Sequence, residues 1–173
     1  MSATAGPPDR FSLKRLRQAC SDCSVHDLCL PLGLDQPDME RLEGLVERIG
    51  PLHEGSHLYR VADPFQHIFA VRSGTVKTYV DDEQGREHVL GFHIPGELVG
   101  LDAIYPERHQ CNAVAVDTVF ICRLSYNELT SLAGRLPGLQ KQLFRLMSKD
   151  IAGKSAQQSE LGAEERVSSF LLD

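Results

Sequence analysis

Cys20, Cys23 and Cys29 fall within ten residues, in a chain with five cysteines in all. Separated by two and then five residues, they let three thiolates on one short irregular loop point at a common centre. Soft thiolates gathered in this way hold zinc or an iron-sulfur cluster, and spacing alone does not choose between them. His26, inside the loop, offers a nitrogen for a zinc knuckle, and a run of reduced packing cysteines is the plain alternative. For a cluster held by four thiolates the fourth ligand has to come from elsewhere. Cys122 sits on an alternating pattern with Phe120 and Leu124 on the same face, so it reads equally as a core cysteine and as a ligand. Nothing local marks Cys111, between Gln110 and Asn112, and it reads as a spare thiol.

Composition narrows the function classes. An odd cysteine count with no export signal points to a reducing, cytoplasmic compartment where thiols serve metals or redox chemistry. No Ser-His-Asp order, Walker loop or dinucleotide fingerprint occurs, and the seven histidines lack metalloprotease spacing. An enzyme is therefore not expected. The 18 basic against 24 acidic residues give a net charge of −6, the wrong sign for gripping a phosphate backbone by bulk electrostatics. No apolar run approaches the roughly 18 residues of a membrane span, and no apolar stretch follows Arg10, Lys14, Arg15 and Arg17. A length of 173 residues, 42% hydrophobic, suits one domain with appendages.

The elements that must position the thiols follow from periodicity. Residues 1–19 open with small and breaker residues and predict a loose start. Residues 20–34 form the cysteine loop. From Asp35 the pattern is helical: Asp35 caps, Pro37 suits the first turn, and Met39, Leu42, Leu45, Val46 and Ile49 make a stripe that Gly50-Pro51 ends. Seven glycines and three prolines between Gly50 and Gly100 divide the next stretch into short segments rich in β-branched and aromatic residues. Strands are predicted at Ile68 to Arg72, Thr75 to Val80, Val89 to Phe92, Val114 to Val116 and Val119 to Leu124, with a tight turn at Ser73-Gly74 and a polar hairpin tip from Asp81 to Arg86. Such spacing suggests an antiparallel sandwich or barrel. Ser125 and Glu128 fit a capping box that opens a short helix through Ala133. Pro137 starts a longer helix whose Leu139, Leu143, Leu146, Met147 and Ile151 form one seam. Ala163 to Asp173 is helical in composition.

At Cys20-Ser21-Asp22-Cys23-Ser24-Val25-His26-Asp27-Leu28-Cys29 the sequence resembles the fumarate and nitrate reduction regulators of the cyclic-AMP receptor protein superfamily. The likeness extends through Tyr59 to Asp63, Ile68 to Lys77, Gly91-Phe92-His93, Pro95 to Gly100 and Ala163 to Arg166, from about Phe11 onward. It implies an α+β fold: a double-stranded antiparallel β-roll sensor with flanking helices over residues 35–133, then a long dimerisation helix over residues 134–160. It implies further that residues 161–173 begin the link to a helix-turn-helix domain that is missing here and would carry the DNA contacts.

The resemblance also implies an oxygen-labile 4Fe-4S cluster held by Cys20, Cys23, Cys29 and Cys122, with no role for Cys111. In that reading an intact cluster supports a homodimer and oxygen converts it to a 2Fe-2S form that weakens the dimer, giving an activator of anaerobic transcription. Leu139, Leu143, Leu146, Met147 and Ile151 would form the dimer interface. Arg135, Lys141, Arg145, Lys149 and Lys154 against Asp150 leave that helix at a net +4, so association should be marginal. The Asp81 to Arg86 tip would be a solvated turn or a contact for RNA polymerase. Nucleotide-binding relatives clamp the cyclic phosphate with an Arg-Ser pair, and His109 and Gln110 stand there instead. Tight cyclic-nucleotide binding is not expected. A zinc, haem or cyclic-nucleotide sensor on the same fold is the alternative.

Overall fold

Asp35 begins the first helix as its spacing predicts, its carboxylate accepting from Asp38 N at 2.9 Å with Pro37 in the first turn. In the computed structural model, which describes residues 20–160 and their side chains as far as Gly153, this helix is α1, Gln36–Glu43, burying Met39 and Leu42. The expected loose start at residues 1–19, the helical segment from Ala163 to Asp173 and the side chain of Lys154 lie outside the described residues.

The helix does not run on to Ile49. Val46–Leu52 is a strand, β1, paired antiparallel with β8 (Val119–Ser125), with Val46 opposite Leu124 and Arg48 opposite Cys122. Over so few residues an apolar stripe at three and four cannot be told from a half-buried strand, and the long-range partner decides. Gly50-Pro51, expected to stop a helix, lies inside this edge strand, where the register shifts between Ile49 and Leu52, a place that tolerates a missing N–H.

The remaining strands are β2 (His57–Tyr59), β3 (His67–Ser73), β4 (Val76–Asp81), β5 (Glu87–His93), β6 (Leu98–Val99) and β7 (Asn112–Ala115). They form two antiparallel four-stranded sheets, ordered β1-β8-β3-β6 and β2-β7-β4-β5, the expected roll. The short strands β2 and β6 are not predicted from the sequence, because two or three residues carry no readable alternation. Gly74 turns β3 into β4 with φ +78°, and a Cβ there would lie 2.5 Å from the Thr118 carbonyl oxygen, so only glycine fits.

Both faces of the β1-β8-β3-β6 sheet are buried. Phe69 and Val71 of β3, with Val119 and Ile121 of β8, pack between the two sheets. Ile68, Ala70 and Leu124 face the other way, onto the helices and the cysteine loop, and Cys122 shares that side. Ser125 caps α2 (Tyr126–Ala133), its hydroxyl accepting from Glu128 N at 3.5 Å. The long helix α3 spans Pro137–Glu160.

The seam expected on α3 divides. Leu139, Leu143 and Leu146 are buried in the chain's own core, and Met147 packs partly against it. Phe144 and Ile151 are 61% and 64% exposed. Near Pro137 the helix leans on α2 and the cysteine loop, so its inner residues are spent on intramolecular packing, and the outward face lies on a different stripe.

Candidate metal centre

The loop at Cys20 curls by successive tight turns. Cys23 N donates to Cys20 O, His26 N to Cys23 O, Leu28 N to Val25 O and Leu32 N to Cys29 O, over 3.0 to 3.3 Å. Val25 and Leu30, 7% and 2% exposed, anchor it in the core. This winding turns Cys20, Cys23 and Cys29 toward β8, where Cys122 projects from the same face as Leu124. All four line one cavity, with Val25, Leu30, Leu42 and Val46 among its walls. His26 also lines it. Cys111 is elsewhere, buried between the sheets with its Sγ donating to Asp102 Oδ2 at 3.6 Å.

Burial sets the chemistry of Cys20, Cys29 and Cys122, none of which is in a disulfide. It pushes Cys29 up to about 12 and Cys122 up to about 11. Cys20 is raised by burial as well, against the lowering pull of Arg48. Thiols of this kind stay protonated near neutrality, and a bound metal supplies the charge that draws the protons off.

Two guanidinium groups stand beside the sulfurs. Arg48, reaching from β1, places Nη2 3.9 Å from Cys20 Sγ and is held by Glu43 Oε1 at 3.1 Å. Arg72 lines the cavity, and its charge lowers the Cys122 thiol against burial. Soft donors, apolar walls and cations at the edge suit a thiolate-ligated group of negative net charge. Among the described residues no three His, Cys, Asp or Glu side chains are placed to grip a single ion.

Several residues that shape this region have no sequence signal of their own. Arg48 is hidden by the misread helix. Gln142 of α3 is 6% exposed, and its amide donates to the Cys29 carbonyl oxygen at 3.0 Å. Gly96, at φ +93°, lies under Leu28: a Cβ there would meet Leu28 Cβ at 2.7 Å. Asp102 lies beside His109 and Gln110. His109 stacks on Tyr59 at 3.6 Å between ring centroids, its Nδ1 is 4.0 Å from Asp102 Oδ1, and Gln110 N donates to Asp102 Oδ2 at 2.8 Å.

A family model described as a cyclic nucleotide-binding domain matches residues 50–135. The chain is 39% identical over 157 residues to the fumarate and nitrate reduction regulatory protein of Vibrio cholerae, covering 89% of this chain and 63% of the relative. It is 36% identical over 174 residues to the protein of the same name from Salmonella typhi, covering 96% of this chain and 70% of the relative. The chain belongs to that family. Fumarate and nitrate reduction regulatory proteins are regulators rather than enzymes, and this chain spans less than two thirds of the Vibrio cholerae member.

Solved structures share the fold. The catabolite activator protein of Thermus thermophilus superposes with a TM-score of 0.62 at 23% identity, covering 75% of this chain and 61% of that one. The sensor domain of the transcriptional regulator DNR from Pseudomonas aeruginosa gives 0.57 at 18%, covering 78% and 88%. Cys20, Cys23 and Cys29 lie outside residues 50–135, so the cysteine loop lies beyond the matched region, within which Cys122 falls. Among the described residues no helix is long and apolar enough to cross a membrane.

Proposed function

We propose that this chain is the sensor portion of an oxygen-responsive transcription regulator, with Cys20, Cys23, Cys29 and Cys122 as ligands of a 4Fe-4S cluster. The observation that carries the reading is the convergence of these four thiols, from a loop and a strand about a hundred residues apart, on one apolar cavity flanked by Arg48 and Arg72. A 4Fe-4S core with four thiolates carries a charge of about −2, which the two guanidiniums offset, and it supplies an oxygen-reactive centre.

The residues of the chain do the rest. Val25 and Leu30 hold the loop to the core, and Leu28 covers the turn at Gly96. With its three cysteines and Cys122 ligated, the loop is tied to β8; when the ligands are released that tie is lost, and its own turns, its apolar anchors and the bonds from Arg48 and Gln142 remain. The outward stripe of α3, with Phe144 and Ile151, is the proposed face for a second copy, and its Lys and Arg excess keeps association marginal. Pairing would set the two-fold spacing of DNA-binding domains in the whole protein, and the Asp81 to Arg86 tip is offered to RNA polymerase. Asp102 beside His109 places a carboxylate where a phosphate clamp would need a cation, which argues against a cyclic nucleotide.

The test is iron and acid-labile sulfide content per chain after air-free preparation. About four of each, with a broad absorbance near 400 nm that bleaches in air, is expected; colourless protein carrying one zinc per chain would reject the cluster.

A further inference from the structure

Leu139, Gln142, Leu143 and Leu146 stand at i, i+3, i+4 and i+7 on α3, so a glutamine interrupts the stripe that packs into the chain's own core. It is 6% exposed, and a buried amide in an apolar stripe requires a partner. That partner is the Cys29 carbonyl oxygen, 3.0 Å from Gln142 Nε2 and 113 residues away in sequence. The same oxygen accepts from Leu32 N at 3.3 Å, which closes the turn after the third cysteine of the loop. One hydrogen bond therefore joins the turn that aims the Cys29 thiol to the helix that presents Phe144 and Ile151 on its outer side.

We propose that Gln142 is a positioning residue that couples the state of the cysteine loop to the self-association of α3, through the bond it donates to the Cys29 carbonyl. The inference rests on the reading of the loop as a cluster loop and of α3 as the pairing helix, and it names the residue that links them. Once the Cys29 turn shifts, the amide is left buried without its acceptor, so loop and helix each favour the arrangement in which the other is in place. Coupling of this kind is reciprocal: an ordered loop strengthens pairing by the same factor by which pairing strengthens the ordered loop. A second contact between these elements runs over the surface, where Leu28 covers Gly96 and Glu97 Oε1 accepts from Lys149 Nζ at 3.2 Å. That pair is solvated and contributes less.

Gln142→Met keeps the length and volume of the side chain and removes the donor. Sedimentation of the full-length protein without air gives the dimer dissociation constant with the cluster loaded and after stripping with a chelator, and the ratio of the two measures the coupling. The ratio should fall roughly fivefold or more in Gln142→Met, the low end of typical coupling; an unchanged ratio overturns the proposal, whatever happens to either constant alone. Hydrogen exchange on the wild type needs no variant: stripping should raise exchange at residues 26–32 and at residues 139–146 together while α2 stays protected, and a rise confined to the loop overturns it. If the wild type binds no iron and sulfide, the cluster reading fails by itself, and Gln142 is decided on cluster-free protein. There Gln142→Met should raise exchange in both segments, and a rise confined to the helix counts against it.

Discussion

Gly96→Ala tests whether Leu28 rests on the turn before β6, and Gly85→Ala supplies its control. Both glycines have positive φ, +93° and +74°, but a Cβ at Gly96 meets Leu28 Cβ at 2.7 Å whereas nothing lies within 4 Å of one at Gly85. The left-handed backbone costs an L-residue about 1–2 kcal/mol, which both variants bear. Contact with Leu28 adds the cost of overpacking, about 1–3 kcal/mol, at Gly96 alone. For a chain of this size each kcal/mol lowers Tm by about 2–4 °C, so the two variants should separate clearly in thermal or urea unfolding of cluster-free protein. The double change Leu28→Gly with Gly96→Ala removes the clashing Cβ and should bring the loss at Gly96 back near that at Gly85. Equal losses at Gly85 and Gly96, unrelieved by the double change, would refute the seating of Leu28.

Three further outcomes follow from the geometry. Cys122→Ala should abolish iron and sulfide binding while Cys111→Ala leaves both at wild-type levels, as measured by metal and sulfide analysis. Ile151→Glu should leave the absorbance spectrum intact and lower the dimer fraction in sedimentation; Leu139→Ala, at a fully buried position, should instead cost about 2–5 kcal/mol of stability in urea unfolding. Cys29, whose thiol burial raises to about 12 from 9.0, stabilises the cluster-free fold below pH 9 and loses that contribution as the pH climbs from 9 toward 12. Chemical denaturation across that range should show a steeper alkaline loss for wild type than for Cys29→Ala.

The sequence was legible where local physics suffices. Asp35 and Ser125 cap their helices because a short side-chain oxygen before a periodic run has one obvious use. The polar tip at Asp81 to Arg86 is a hairpin because Asp82 gathers it: its carboxylate accepts from Arg86 N at 2.9 Å, bonds His88 Nε2 at 3.1 Å and accepts from Gln84 N at 2.9 Å, contacts that hold it down to about 2. The three-cysteine loop stood out by its spacing, which points to a soft-metal site without choosing between zinc and iron with sulfide. Where the reading failed, two structures shared one local pattern. Val46 and Ile49 satisfy a helix stripe or a strand, and only the partner β8 settles the choice. The α3 stripe reads alike whether it meets its own domain or a second copy, and burial assigns Leu139 and Leu143 to the former.

By itself the sequence determined the strand-rich antiparallel middle, the cysteine loop and the capped helices, since turn residues, thiol spacing and apolar period act over a few residues at a time, while the roll came from the family resemblance. Local pattern left Cys122 open and only the resemblance singled it out; the tertiary structure puts it on the helix-facing side of β8, lining the loop's cavity, and buries Cys111 between the sheets. It also brought Arg48 to Cys20 and Gln142 to the Cys29 carbonyl, contacts spanning 28 and 113 residues. No local preference encodes such pairs; they exist because strand pairing and core packing fix where distant segments meet.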